Sequence, residues 1–285
     1  DSYGVKPLYY AQTDENFIFS SEIRSILETN KISDQIDLEP IFEYINFLWC
    51  PSDSTLSKSI KKLPAGHAMV VKDSKIQDQW SWYQTPETKV KKFLNLESSL
   101  SEVEEKLCRA VESQLVSDVG VGAFLSGGLD STSIVAMAKK FNPNIECFTI
   151  RNIGGQDEGF SDDLPYAKKA ANFLNVPLNV IDVSPEDIIN DLEDMVVTLE
   201  EPIVDTAPLN IQYISRAAKS MGIKVLLSGA GGDDIFTGYR RHLAIKYDLV
   251  SFVPRPLRKL LLNMSSNFNL QNPLSRRVNK YLEGS

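Results

Sequence analysis

The stretch that determines the fold is VGAFLSGGLDSTSIVAMAKKF, residues 121–141. Its first five residues, 121–125, are small or apolar and typical of a buried strand, whereas the apolar residues of 131–141 recur with helical spacing. Between them, SGGLDST at residues 126–132 places two adjacent glycines where the strand would turn into the helix. The stretch therefore predicts a strand, a glycine-rich turn and a helix in immediate succession.

The same alternation continues through the second half of the chain. Further strands are predicted at residues 145–150, 178–183 and 224–228, and further helices at 164–174, 185–199 and 209–221. An earlier helix is predicted at 100–115, with Val103, Leu107, Ala110, Val111 and Leu115 on its buried side. Strands that alternate with helices in this way form parallel sheets. We therefore expect an α/β domain with a Rossmann-like parallel sheet and helices on both faces.

The first 84 residues show shorter patterns of a different kind. Strands are predicted at residues 7–10 and 17–19, a helix at 21–27, and a hairpin at 66–83 with its turn at 72–74. A second helix is predicted to begin at Asp37 as N-cap and to stop at Pro51. Its apolar face would consist of Leu38, Ile41, Phe42, Ile45 and Leu48. This region is predicted to be a smaller α+β unit.

Residues 85–99 are polar and aperiodic, and we interpret them as a linker. The chain would then consist of a first unit at residues 1–84, the linker at 85–99, and a second unit at 100–285.

Composition narrows the class of protein. The 285 residues are 42% hydrophobic and 24% charged, close to an average globular chain, with a net charge of −8 that disfavours an extended nucleic-acid surface. The apolar runs are too short to cross a bilayer, and no secretory signal is visible. The three widely separated cysteines are typical of free thiols in a reducing compartment. We expect a cytoplasmic protein with neither a nucleic-acid nor a membrane partner.

The first glycine turn has the chemistry of a phosphate site. Adjacent Gly127 and Gly128 let the backbone approach an anion, and the helix that follows directs unpaired N–H groups at it. Hydroxyl donors are available on Ser126, Ser131 and Thr132. Asp130 would repel a phosphate directly, so its expected role is to bind Mg²⁺ that bridges phosphate oxygens. The alternative is a glycine-rich turn with capping serines.

A second glycine-rich turn, SGAGGDDIF at residues 228–236, follows the last predicted strand. Because the carboxyl ends of parallel strands share one edge, both turns should converge on one crevice. Asp233 or Asp234 would complete the metal site begun by Asp130. The alternative is an N-cap pair for the next helix.

These two motifs carry a resemblance to a known family. SGGLDS at residues 126–131, followed by SGxGGDD-x-F-x-GY at 228–239, resembles the asparagine synthetase family of ATP pyrophosphatases. Residues 1–10, 19–23 and 63–67 resemble the end of the glutaminase domain of that family, a class II glutamine amidotransferase domain. The first unit is accordingly interpreted as a partial α+β glutaminase-type domain, and the second as a C-terminally truncated ATP pyrophosphatase domain.

The resemblance implies an ATP-dependent amide-forming ligase. ATP would adenylate a carboxylate, most simply the side chain of aspartate, with release of pyrophosphate, and ammonia from glutamine would then give asparagine. Asp130 and Asp233 would be the catalytic residues and the magnesium ligands. The implied nucleotide-binding residues are Leu125, Ser126, Gly127, Gly128, Leu129, Asp130, Ser131, Ile150, Ser228 and Gly229. The implied partners are small molecules, with ATP and Mg²⁺ as cofactors, and a homodimer is one assembly we consider.

Three departures from the family pattern keep alternatives open. The first residue is Asp1 rather than the nucleophilic cysteine of the glutaminase, so this chain should not hydrolyse glutamine. Ala230 replaces a glutamate of asparagine-forming members, for which Glu201 or Asp205 would have to substitute. The chain also ends at Ser285, before a helical region that supplies a lysine. The alternatives are a relative that acts on another carboxylate, such as a peptide cyclase, lactam synthetase or sugar amidotransferase, and a non-catalytic nucleotide-binding module.

Overall fold

The computed structural model describes residues 1–33, 35–85, 95–154, 163–203 and 207–239. The first unit consists of β1 (Tyr9–Gln12), β2 (Phe17–Ser20), α1 (Ile23–Leu27), α2 (Glu39–Phe47), β3 (Ile60–Lys62), β4 (His67–Lys72) and β5 (Lys75–Ser81). Three of its strands form an antiparallel sheet in the order β2-β1-β3, and β4 pairs with β5. The mixed α+β character predicted for this unit is confirmed.

The β4–β5 hairpin follows the sequence pattern closely. Its turn residues Asp73 and Ser74 have φ values of 51° and 58°. Positive φ at both central residues is the geometry that matches the twist of two paired strands. The prediction of a hairpin about residues 72–74 is therefore confirmed.

The second helix of the first unit differs from its prediction. Leu38 rather than Asp37 is the N-cap, and the Asp37 carboxylate accepts a hydrogen bond from the Glu39 amide at 3.2 Å. The helix ends at Phe47, where Leu48 adopts the left-handed conformation, before Pro51 is reached. Most of its predicted apolar face is exposed, namely Leu38, Phe42, Ile45 and Leu48. Periodicity identifies an apolar face but does not determine what covers it.

The second unit contains the alternating elements that the sequence predicts. They are α3 (Leu96–Gln114), β6 (Gly120–Phe124), α4 (Leu129–Phe141), β7 (Glu146–Asn152), α5 (Leu164–Leu174), β8 (Leu178–Val183), α6 (Pro185–Thr198), α7 (Ala207–Ser220), β9 (Ile223–Leu227) and α8 (Gly232–Phe236). Its four strands pair in parallel in the order β8-β7-β6-β9. Within the described ranges, no helix is long and apolar enough to cross a membrane.

The first helix of this unit, α3, begins earlier than predicted. The Asn95 side chain caps it by accepting a hydrogen bond from the Glu97 amide at 3.1 Å. Residues 96–99 are therefore helical rather than linker, and residues 86–94 lie outside the described residues. Of the predicted buried side, Val111 is buried and Leu115 packs against the core, whereas Val103 is exposed, because the core contacts lie at the carboxyl-terminal end of the helix; Ala110 is also exposed.

Helices cover both faces of the parallel sheet, as predicted. On one face, Ala123 of β6 and Cys147 of β7 pack with Val135 of α4 in the larger core. On the other face, Phe148 of β7 packs with Ile214 of α7. Neighbouring residues of one strand thus supply opposite cores, which is why the strands are continuously apolar.

The order of the strands fixes where a ligand would bind. From central β6 the chain moves outward to β7 and β8, and then returns to place β9 on the other side of β6. The direction of winding therefore reverses between β6 and β9. Open α/β sheets bind ligands outside the carboxyl ends of strands at such a switch point.

Candidate functional site

A cavity of about 470 Å³ lies at this switch point. Both glycine-rich turns contribute to it, as the sequence predicts. Its lining consists of Phe124, Ser126, Gly128, Leu129, Asp130, Ser131, Ser228, Gly229, Ala230, Asp233, Phe236 and Gly238. Seven of the residues that the sequence predicts for nucleotide binding are in this lining, together with both predicted metal ligands.

The first turn leaves the beginning of α4 open toward the cavity. Gly128 is the N-cap and provides no side chain to cap the first-turn amides. The hydroxyls of Ser126 and Ser131 lie 3.0 Å apart, and Ser131 Oγ also accepts from the Ser126 amide at 3.3 Å. The two serines therefore hold the turn in shape, and the uncapped amides have the geometry of an anion site.

The two glycines of this turn have different roles. A Cβ on Gly127 would lie 2.6 Å from Tyr166 Cβ and would overlap the backbone of α5, and its φ is 80°. This glycine is therefore required by packing against α5. A Cβ on Gly128 would meet only Ser126 Oγ, at 3.3 Å. The open space at Gly128 is on the cavity side, which is where a ligand would approach the backbone.

The second turn packs directly on the first. A Cβ on Gly229 would lie 2.7 Å from the Ser131 amide nitrogen, and one on Gly232 would lie 2.6 Å from Asp130 Oδ2. The absence of side chains at these two positions thus permits backbone contact between the turns. Gly231, with φ 90°, is the N-cap of the short helix that follows. The contact places the carboxylate of Asp130 against the backbone of the second turn.

Two carboxylates, those of Asp130 and Asp233, line the cavity and are half-buried. Asp234 is exposed and is not in the lining, which favours Asp233 as the second acid. Within the described residues, no group of three His, Cys, Asp or Glu side chains could hold a metal ion. Mg²⁺ commonly uses only one or two carboxylates and completes its shell with phosphate oxygens and water, so the pair fits Mg²⁺. Nearby, Thr132 Oγ1 is buried with no hydrogen-bond partner among the described residues.

Three predicted nucleotide-binding residues do not line the cavity. Leu125 is fully buried in the larger core and donates its amide hydrogen bond to Phe148 O at 2.9 Å. Ile150 is half-buried against the opposite core, and Gly127 faces α5. Their predicted roles stay predictions.

Three lining residues were missed by sequence reasoning, namely Phe124, Phe236 and Gly238. Because successive side chains of a strand point to opposite faces, Phe124 should lie on the face opposite that of its buried neighbour Leu125. This alternation is the signal that could have identified Phe124. Ala230, noted as a departure from the family pattern, also lines the cavity.

The fold and the site together define an α/β protein with a ligand crevice at the switch point of a parallel sheet. A family model described as asparagine synthase matches residues 102–283, and one described as a glutamine amidotransferase domain matches residues 1–83. The chain belongs to the asparagine synthase family.

The chain is similar to individual proteins over part of their length. The chain is 32% identical over 277 residues to asparagine synthetase [glutamine-hydrolyzing] 1 of Bacillus subtilis, with 93% of this chain and 41% of the relative covered. It is 27% identical over 260 residues to the amidase chry2 of Gibberella zeae, with 84% and 37% covered. The chain thus spans about two fifths of the length of these relatives. A solved NH3-dependent NAD synthetase from Campylobacter jejuni is 17% identical, with 49% of this chain and 60% of that chain covered at a TM-score of 0.33.

Proposed function

We propose that this chain carries the adenylation site of an ATP-dependent amide-forming ligase. The site would bind ATP, activate a carboxylate as the acyl-adenylate and release pyrophosphate, after which ammonia would form the amide. The aspartate side chain is the carboxylate we propose first. The single observation that carries the proposal is the meeting of two glycine turns, with Asp130 and Asp233, in one cavity of an asparagine synthase family member.

Each part of the cavity has a role in this reaction. The uncapped amides at the start of α4 would bind phosphate oxygens, and the open backbone at Gly128 would let them approach closely. Asp130 and Asp233 would hold Mg²⁺, which when bound supplies positive charge to the departing pyrophosphate. Because the contact between the two turns is fixed before ATP arrives, the donors need little reorganisation during the reaction.

The proposal also covers the organisation of the chain. We propose that residues 1–84 form an amidotransferase-like unit and that residues from 100 onward form the synthetase-like unit, which the matched ranges 1–83 and 102–283 support. Ammonia would derive from glutamine. Burial raises the pKa of the Cys50 thiol, and burial raises that of the Cys147 thiol to about 12. Neither thiol suits a nucleophile, because thiolate is the reactive form.

A second candidate is the same chemistry on a carboxylate other than aspartate. Ala230 lines the cavity at the position where the asparagine-forming members have glutamate, and a methyl group cannot transfer a proton. Relatives named amidases support this candidate alongside those named asparagine synthetases. The two candidates share the adenylation step and differ in the acceptor.

Exchange of labelled pyrophosphate into ATP tests both candidates. With aspartate present we expect exchange that Asp130→Asn and Asp233→Asn each abolish. Asp118→Asn, which changes an exposed carboxylate ahead of β6, serves as the matched control and should leave exchange unchanged. Exchange that another carboxylate supports and aspartate does not would move the assignment to the second candidate. ATP binding that is insensitive to Asp130→Ala, with no exchange for any carboxylate, would contradict catalysis altogether.

A further inference from the structure

Among the described residues, hydrogen bonds and ion pairs join the first unit to the end of α6 and to a short segment that follows it. This α6–α7 segment, residues 199–203, follows the end of α6 and precedes α7 by four residue steps. Two consecutive acidic side chains of the segment, Glu200 and Glu201, contact the first unit. Each of them uses a different element of that unit.

Glu200 binds the beginning of α1. Its Oε2 accepts hydrogen bonds from the amides of Ile23 at 2.6 Å and Arg24 at 3.2 Å. The Arg24 guanidinium lies 3.6 Å from Glu200 Oε1 and also donates to the carbonyl of Thr198 at 3.5 Å. A carboxylate bound to two backbone amides has a fixed orientation, so this contact holds the segment as well as the side chain.

Glu201 forms an ion pair with Lys62 of β3. Lys62 Nζ lies 3.1 Å from Glu201 Oε1 and donates to Oε2 at 3.2 Å, and the two side chains are only 19% and 18% exposed. The same ammonium donates to the carbonyl of Cys50 at 2.8 Å. The pKa of the Glu201 carboxyl is raised, because the effect of burial exceeds the opposing effect of Lys62. The pair is well enclosed, so removal of one partner would leave the other charge poorly solvated.

The chain enters α7 at the edge of the sheet that carries the cavity. After α7 ends at Ser220, a tight turn with Gly222 at φ 78° leads into β9. Since α7 packs on the sheet and β9 starts directly after it, α7 runs opposite to the strands and begins toward their carboxyl ends. Four residue steps span at most about 14 Å, so Ile203 lies within that distance of the start of α7.

We propose that Lys62, Glu200 and Glu201 are positioning residues through which the first unit sets the geometry of the adenylation cavity. Lys62 and α1 hold the α6–α7 segment, the chain leads from this segment into α7, and α7 packs on β9, whose end carries the second glycine turn. This inference rests on the proposed function for its catalytic consequence. Its structural part, that the second turn responds to Lys62, is independent of catalysis.

The test compares Lys62→Met with Lys62→Arg and with Lys106→Met. Lys62→Met keeps the unbranched apolar stem of the side chain and removes its ammonium group, Lys62→Arg keeps the charge, and Lys106→Met breaks the exposed pair with Glu102 on α3. Amide hydrogen exchange, measured without substrates, should become faster in residues 199–203 and in 228–232 for Lys62→Met alone. Glu200→Ala, which removes the acceptor of both α1 amides, should give the same result and replaces Lys62→Met if that variant does not fold.

Catalysis supplies the second measurement. We expect Lys62→Met to lower kcat/KM for pyrophosphate exchange by on the order of 10²-fold, since small misplacements remote from the chemistry have effects of that size. Lys62→Arg should recover most of it, and the Kd for ATP should change little. Faster hydrogen exchange confined to the first unit, with kinetics equal to those of Lys106→Met, would overturn the inference. If neither the unaltered protein nor any variant shows pyrophosphate exchange, the proposed function fails. Amide hydrogen exchange would still decide whether Lys62 positions the second turn.

Discussion

Gly229→Ala is the sharpest single test of the cavity, because one added methyl group would force the two glycine turns apart. The new Cβ would lie 2.7 Å from the Ser131 amide nitrogen and 2.9 Å from the Asp130 carbonyl carbon, whereas ordinary contact begins at 3.4 Å. Both neighbours are backbone atoms at the start of α4 and cannot rotate away. The turns must therefore separate by roughly 0.7 Å, with an overpacking cost of about 1–3 kcal/mol.

This separation acts on the site more than on the fold. A shift approaching 1 Å between the phosphate-binding amides and the opposite turn should lower kcat/KM for pyrophosphate exchange by roughly 30–100-fold. Gly222→Ala is the matched control, because its φ of 78° introduces strain while no atom lies within 4 Å of the new Cβ. It should lose stability and keep activity. Gly229→Ala with exchange within twofold of the unaltered protein would refute the requirement for contact between the turns.

Three further predictions concern stability and reactivity. Gly127→Ala should lower the free energy of unfolding, measured in urea, by more than about 2 kcal/mol, because the new side chain combines a positive φ with overlap of the α5 backbone. A loss below about 0.5 kcal/mol would contradict that packing. Burial, together with the nearby carboxylates of Glu201 and Glu200, raises the pKa of Tyr9 to about 12. Because the phenol of the unfolded chain ionises near pH 10, the contribution of Tyr9 to the free energy of unfolding is complete below pH 10 and is lost as the pH rises through 12. Tyr9→Phe should remove about 2–3 kcal/mol of this loss, and alkaline denaturation equal to that of the unaltered protein would contradict the prediction. In thiol titration of the folded protein, Cys108 should react well before Cys50 and Cys147, which are buried, and equal rates for all three would contradict this packing.

Most of the second unit could be predicted from sequence because its information is local and periodic. The helix predicted at residues 164–174 has those bounds in the structure, and the predicted strands agree within two residues. The position of the cavity also followed, since the carboxyl ends of parallel strands share an edge and each of two strand ends carried a glycine turn. Local pattern and sheet topology were sufficient for these features.

Other features depend on contacts that no local pattern encodes. The apolar residues of α2 have helical spacing whether or not another element covers them, and in the structure Phe42 and Ile45 are exposed. The family resemblance implied a nucleotide-binding role for Leu125 and Ile150, but the inward direction of their side chains depends on which strand face meets which core. The partners Ile23 and Glu200 are 177 positions apart. Such pairs require the tertiary structure.

The contact between the units bears on the identity of the acceptor. A methyl group at Ala230 leaves the second turn without the carboxylate that asparagine-forming members have there, and Glu201 was one candidate to replace it. The structure places the Glu201 carboxylate on Lys62, where the ion pair and burial occupy it, and it does not line the cavity. Glu201 is therefore a poor substitute for the missing glutamate, and Asp205, the other candidate, lies outside the described residues. This position of Glu201 supports the second candidate, the same chemistry on another carboxylate. If aspartate is nevertheless the acceptor, Ala230→Glu should raise pyrophosphate exchange with aspartate, and no rise would count against aspartate.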